Sequence, residues 1–217
     1  MKKVHIPNND SHLVEAYGIK TDKDAEQFYN KWADNYDNHL TNILNYNAFE
    51  HVAEDLVSVL TDKEAEILDV GTCTGLTGQA LVDRGYKNID GWDIADEALE
   101  VAKKKGIYKN LLKINLNESK SPETKQYDAI ISSGTFTQGH VKHHVLTYMF
   151  EILKPGGYFT CTINNRIWEE LGFKGTIEQL EKDNVMSIEK YTDRSYFDDD
   201  TLTCRCFLFR KNEKINS

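Results

Sequence analysis

Residues 67–78 read ILDVGTCTGLTG, and no other stretch constrains the fold as strongly. Ile67–Val70 is a short apolar run broken by one acid, Asp69, and suits a strand buried in a sheet. Gly71 and Gly75 punctuate the run, and an apolar pattern with helical spacing resumes at Leu76. A buried strand, a glycine-bearing turn and a helix therefore follow one another.

The rest of the chain extends this unit. Residues 1–20 are polar and irregular and read as a flexible N-terminal arm, with a single domain over 21–217. Phe28, Tyr29, Trp32, Ala33 and Tyr36 recur at helical spacing, as do Phe49, Val52, Ala53, Leu56, Val57 and Leu60. Two helices thus form a cap before the first strand, Glu66–Val70. Strands are then expected at Asn88–Ile94, within Tyr108–Leu116, at Tyr127–Ser132 and at Tyr158–Ile163. Helices are expected at Leu76–Arg84, Glu97–Lys105 (capped by Asp96), His140–Leu153 and Ile167–Lys182. The breaker Lys154–Gly157, KPGG, separates the third of these from the next strand. Val185–Tyr191 and Leu202–Arg210 follow with only an acidic turn between them, so they should pair antiparallel. The expected fold is α/β, a doubly wound, Rossmann-like, mostly parallel seven-stranded sheet with an antiparallel C-terminal pair. Ligands of such sheets sit at the C-terminal strand ends, beside the first strand.

Composition removes several functions. The 217 residues carry a formal net charge of -9, from 26 basic and 35 acidic side chains, which argues against a nucleic-acid partner. No apolar run is long enough to span a bilayer, and the N-terminus lacks the apolar core of a secretory signal, so neither a membrane nor export is expected. Cys73, Cys161, Cys204 and Cys206 show no zinc-ligand spacing and read as reduced, buried thiols of a cytoplasmic protein.

The glycine turn can be asked which ligand it suits. A dinucleotide fingerprint, GxGxxG, fails after Gly71, and no Gly-Lys-Ser/Thr marks a phosphate loop. Asp69, Gly71 and Gly75 instead fit (D/E)xGxGxG with Cys73 at the middle glycine. YDAIISSGTF, LKPGGYF and FYNKWADNYD follow or precede it in order. With these motifs the chain resembles class I S-adenosylmethionine-dependent methyltransferases over residues 28–210. It is similar to the small Williams–Beuren-region methyltransferase-like proteins, which share a Y-x-x-W-A-x-x-Y-D opening.

The resemblance implies S-adenosyl-L-methionine as cofactor, with S-adenosyl-L-homocysteine as product, and a set of positions to hold it. Gly71 and Gly75, with Thr72 between them, lie where the methionine part meets the backbone. Asp69 either attracts the cofactor ammonium or caps the turn. Asp93, about 20 residues past the turn, suits the ribose hydroxyls, with Asp96 as rival and helix cap, and Ile94 lies against adenine. Asn115, in competition with Asn117, and the Leu116 N–H face the adenine edge. The carbonyl near Ser132 takes the methionine ammonium. Tyr36 offers the cofactor a hydrogen bond or a π face, while Trp32 reads as core.

His140 is the candidate base, and packing at a helix start is its alternative. His140, His143 and His144 would neighbour one another on a helix, but no acidic partner at helical spacing completes a metal set. The chain lacks the (D/N/S)PP(Y/F/W) signature of nucleic-acid amino methylation and a large docking insertion. A small-molecule acceptor is therefore expected, with a protein side chain or a non-catalytic S-adenosylmethionine-binding module as the alternatives, and with the acceptor's identity, the accepting atom and the oligomeric state left open.

Overall fold

The computed structural model describes residues 6–118, 126–198 and 202–213. After a 3-10 turn at Pro7–Asn9 come α1 (Ser11–Ala16), α2 (Asp22–Trp32), a second 3-10 turn (Ala33–Asn35), α3 (Tyr36–Asn38), a π turn (His39–Ile43) and α4 (Ala48–Val57). The alternating part is β1 (Glu66–Val70), α5 (Leu76–Val82), β2 (Asn88–Asp93), α6 (Asp96–Lys105), β3 (Asn110–Lys113), β4 (Tyr127–Phe136), α7 (His144–Ile152), β5 (Leu153–Asn164), α8 (Phe173–Lys182), β6 (Met186–Ser195) and β7 (Thr203–Lys211).

The seven strands form one sheet in the order β3-β2-β1-β4-β5-β7-β6. β1 to β5 pair parallel, while β7 pairs antiparallel with both β5 and β6. This is the expected doubly wound architecture. Period-two alternation divides β1 between two cores: Leu68 and Val70 face a layer with α7 and α8, Ile67 one with α4 and α5. Ala129, Ile130 and Ile131 of β4 are all fully buried, as a strand covered on both faces requires.

Several elements differ from the expectation. In place of an irregular arm, residues 7–16 form a turn and a helix, and Ile6, Leu13, Ala16 and Ile19 pack into a third core with Phe28, Trp32 and Leu40. Asp10 caps α1 by accepting from the N–H groups of His12 and Leu13. Its other oxygen meets His39 Nε2 at 3.0 Å, and Trp32 Nε1 donates to His39 Nδ1, so the imidazole carries its proton on Nε2 and bridges α1 to α2.

Asp96 does not cap α6. Ala95 is the cap residue, and the Asp96 carboxylate turns outward to Lys113. Asp93 has taken the turn position by accepting from the Ala95 N–H. KPGG lies inside β5, where a register shift against β4 between Tyr127 and Ala129 absorbs it. The helix expected from His140 begins only at His144. The acidic turn between β6 and β7 falls in part on residues 199–201, outside the described residues.

Candidate functional site

A cavity of about 660 Å³ opens at the C-terminal ends of β1, β2, β3 and β4, roofed by α2 and α3. Its floor is the glycine turn. Gly71 has φ +73° and Gly75 φ +94°, conformations that a side chain resists. A Cβ on Gly71 would lie 2.1 Å from Thr135 Oγ1, and one on Gly78 would lie 2.1 Å from Tyr108 Oη. The glycines thus let Thr135 and Tyr108 cross the turn closely. Cys73 also has a positive φ, +48°, where L residues are strained by about 1–2 kcal/mol.

Of the sequence candidates, Tyr36, Gly71, Asp93, Ile94, Asn115, Leu116 and His140 line this cavity. Asp93 stands at the end of β2. Its Oδ2 accepts from the Cys73 N–H at 2.8 Å and its Oδ1 from the Ala95 N–H at 2.9 Å. Burial pushes its carboxyl up, and the N–H groups of Ala95, Cys73 and Ile94 oppose that shift. The carboxylate keeps lone-pair capacity for a further donor.

Asn115 donates to Asp22 Oδ2 at 2.9 Å and accepts from the Asn117 N–H, so the strand-three asparagines are tied to the first turn of α2. Asn117 Nδ2 reaches both Asp22 Oδ1, at 2.7 Å, and the His140 carbonyl, at 3.1 Å. Ile94, Ile114, Leu116 and Val141 supply apolar walls.

Asp69, Thr72, Gly75 and Ser132 do not line the cavity. Asp69 is fully buried and accepts from Tyr108 Oη at 2.6 Å, and desolvation pushes its carboxyl up to about 7. Thr72 Oγ1 donates to the Asp69 carbonyl, and Ser132 Oγ to the Val70 carbonyl. The next residues of β4, Ser133, Gly134 and Thr135, reach the cavity instead. Sequence reasoning missed Asp22, Ala25, Ile114 and Val141. Asp22 carries only a helix-start signal, since Thr21 and Asp24 form a capping box around it.

His140 leaves the expected helix and faces the cavity from the loop after β4. Its Nδ1 lies 2.8 Å from the Gln138 carbonyl, which can only accept, so Nδ1 carries the proton. Nε2 is then an acceptor, and Tyr29 Oη donates to it at 2.8 Å. Burial lowers the pKa of His140 and raises that of Tyr29. His143 is held apart by Thr176 Oγ1 at 2.7 Å. A second cavity, of about 540 Å³, adjoins the first, and Tyr29, Tyr36, Gly134 and His140 line both.

These features find their counterparts among known proteins. A family profile described as "Methyltransferase domain" matches residues 67–157. With the sheet order and the cavity at the strand ends, this match supports a class I S-adenosylmethionine-dependent methyltransferase. Methyltransferase-like protein 27 of Homo sapiens is 27% identical over 183 residues, covering 82% of this chain and 74% of that protein. EEF1A lysine methyltransferase 2 of Danio rerio is 30% identical over 121 residues, covering 50% of this chain and 52% of its own. The crystal structure of N-methyltransferase NodS from Bradyrhizobium japonicum, in complex with S-adenosyl-l-homocysteine, has a TM-score of 0.60. It is 13% identical, with 76% of this chain and 86% of that chain covered, and shares the fold.

S-adenosylmethionine is the cofactor, and the donor set fits it. A carboxylate with lone-pair capacity left, apolar walls and a glycine turn meet in one cavity. No helix of the described residues is long and apolar enough to cross a membrane.

Proposed function

We propose that this methyltransferase acts on a small-molecule acceptor in the cytoplasm, and that Tyr29 and His140 handle the acceptor's proton. The supporting observation is that both residues line the cofactor cavity and its neighbour, joined by a 2.8 Å hydrogen bond at the junction. Buried, free thiols at all four cysteines accord with a reducing compartment.

In this reading Asp93 accepts the ribose hydroxyls, Ile94 and Leu116 flank adenine, and Asn115 fixes its edge. Tyr36, the Gly71 turn and the backbone after Ser132 hold the amino-acid end. Asp69, Thr72 and Gly75 act one layer below by shaping the turn. When bound, S-adenosylmethionine supplies an activated methyl group and leaves as S-adenosylhomocysteine. The protein's task is then to align the acceptor, exclude water and take up a proton. The Tyr29 hydroxyl already directs its proton to His140 Nε2, so its oxygen can accept from the acceptor's O–H or N–H. The proton thus relays through Tyr29 to His140, and burial keeps that imidazole neutral and able to receive it.

A protein side chain is the second reading, favoured by the similarity to the Danio rerio lysine methyltransferase. The test is incubation with labelled S-adenosylmethionine and, separately, the small-molecule and protein fractions of a cell extract. Label in small molecules supports the proposal. Label confined to protein overturns it.

A further inference from the structure

Eight of the fourteen residues that line the second cavity carry rings. We infer that this cavity is the acceptor pocket and that it takes an uncharged, planar ring compound bearing an O–H or N–H group. The inference rests on the methyltransferase reading and names the substrate class of that site.

Tyr17, Trp32, Tyr36, Tyr46, Tyr196 and Phe197 contribute side chains to this pocket. Trp32 and Tyr36 meet edge to face, with centroids 4.7 Å apart, and Tyr46 lies within 11° of parallel to Tyr196. Such walls favour an inserted ring through stacked and edge contacts. Among the described residues, no Asp, Glu, Lys or Arg lines the pocket. A carboxylate or phosphate there would lose its water and gain no counter-charge, a cost of several kcal/mol. An ammonium would find π faces. Protonated, however, it has no lone pair to methylate, and no carboxylate of the lining balances it.

Polar groups stand chiefly at two places, and the buried Tyr196 Oη, with no hydrogen-bond partner among the described residues, is a third. Tyr29 and His140 occupy the boundary with the cofactor cavity, where the acceptor's X–H must point. Most other hydroxyls are engaged: Tyr46 Oη pairs with Ser133 Oγ at 2.9 Å, and Tyr17 Oη accepts from Asn164 Nδ2 at 2.9 Å. The Gln138 side-chain amide makes no hydrogen bond to another described residue. It offers both a donor and an acceptor to a substituent on the ring. Gln138 is thus assigned as the residue that orients the ring.

The test is calorimetry and saturation-transfer NMR on the full chain, with and without S-adenosylhomocysteine. The probes are para-hydroxybenzamide, para-hydroxybenzoate, para-hydroxybenzylamine and a lysine-containing peptide. The neutral amide is expected to bind at least about tenfold tighter than either charged ring or the peptide. Gln138→Leu should weaken it while leaving S-adenosylhomocysteine affinity unchanged, and Ala16→Phe should block it by filling the pocket. If Ala16→Phe does not fold, Gln138→Leu decides.

Equal or tighter binding of a charged probe, preference for the peptide, indifference to Gln138→Leu, or no ring binding at all overturns the inference. Loss of S-adenosylhomocysteine binding alone would sink the methyltransferase reading. Ring binding without it would still judge the pocket.

Discussion

The Tyr29 hydroxyl lies 2.8 Å from Nε2 of His140, and this contact joins α2 of the cap to the loop after β4. The two residues stand 111 apart in sequence. Closure of the cap over the sheet is what brings a phenol to an imidazole whose other nitrogen is already held by the Gln138 carbonyl.

If this pair relays the acceptor's proton, His140→Ala lowers kcat about 10²–10⁴-fold with little change in S-adenosylhomocysteine affinity. Tyr29→Phe gives a smaller loss. The free imidazole must be neutral, and burial depresses its pKa below the ordinary 6.5. Activity in the wild type should therefore be flat through neutrality and fall only at pH values below 6.5. A kcat profile across pH, measured beside calorimetry, checks both. Unchanged turnover in His140→Ala refutes the relay.

Asp69 gives a stability prediction of opposite sign. Its carboxyl is raised from 3.8 to about 7 by burial, so the folded state binds the proton more tightly than the unfolded chain. That contribution is complete below about pH 3.8 and is lost as pH rises through 7. The penalty above it is at most about 4 kcal/mol, from roughly three pK units. Asp69→Asn keeps an oxygen for Tyr108 Oη and removes the titration. It is expected to melt higher than wild type at pH 8, with the difference shrinking toward pH 5. Thermal unfolding across pH measures this, and a constant difference would reject it.

Asp93→Ala should weaken S-adenosylhomocysteine by about 10- to 100-fold, or roughly 1.4–2.8 kcal/mol. The same carboxylate accepts from Cys73 and Ala95, so melting must be followed beside calorimetry. Full affinity in a folded Asp93→Ala protein removes Asp93 from the cofactor site.

Cys73 occupies a glycine-favouring conformation and faces the cavity. Cys73→Gly relieves about 1–2 kcal/mol of strain but returns about 0.5–1 kcal/mol through the freer unfolded chain. The melting temperature should therefore move by no more than a few degrees, whereas branched Cys73→Val should lower it clearly. Burial pushes the Cys73 and Cys161 thiols up, and all four cysteines are buried. A thiol reagent should accordingly modify the native protein slowly and the unfolded protein fully. Fast labelling of one native thiol would contradict this.

Much of this protein is local in origin and was readable from residues. The strand, turn and helix around Gly71, the acid at Asp93 and the antiparallel last pair follow from periodicity, glycine placement and spacing. Each depends on the backbone preferences of a few neighbours. The length of the chain before β1 was harder, because α1 has few apolar residues and owes its place to Leu13 and Ala16 packing on Trp32 and Leu40.

Tertiary structure decided the rest. Helical spacing grouped His140 with His143 and His144, but hydrogen bonds to Gln138 and Tyr29 hold His140 in a loop, while Thr176 draws His143 away. Asp96 is a good capping residue by type, yet Lys113 claims it and Asp93 serves the turn. Asp69 matches the cofactor motif, yet Tyr108 reaches it through the space left by Gly75 and Gly78. The reason is common to all three. A polar side chain has several partners within reach of its type, and which one it meets depends on elements far away in sequence. The sequence by itself therefore determined the sheet and the location of the glycine turn. Only the packing of elements distant in sequence, the N-terminal cap among them, decided which side chains face the cavities.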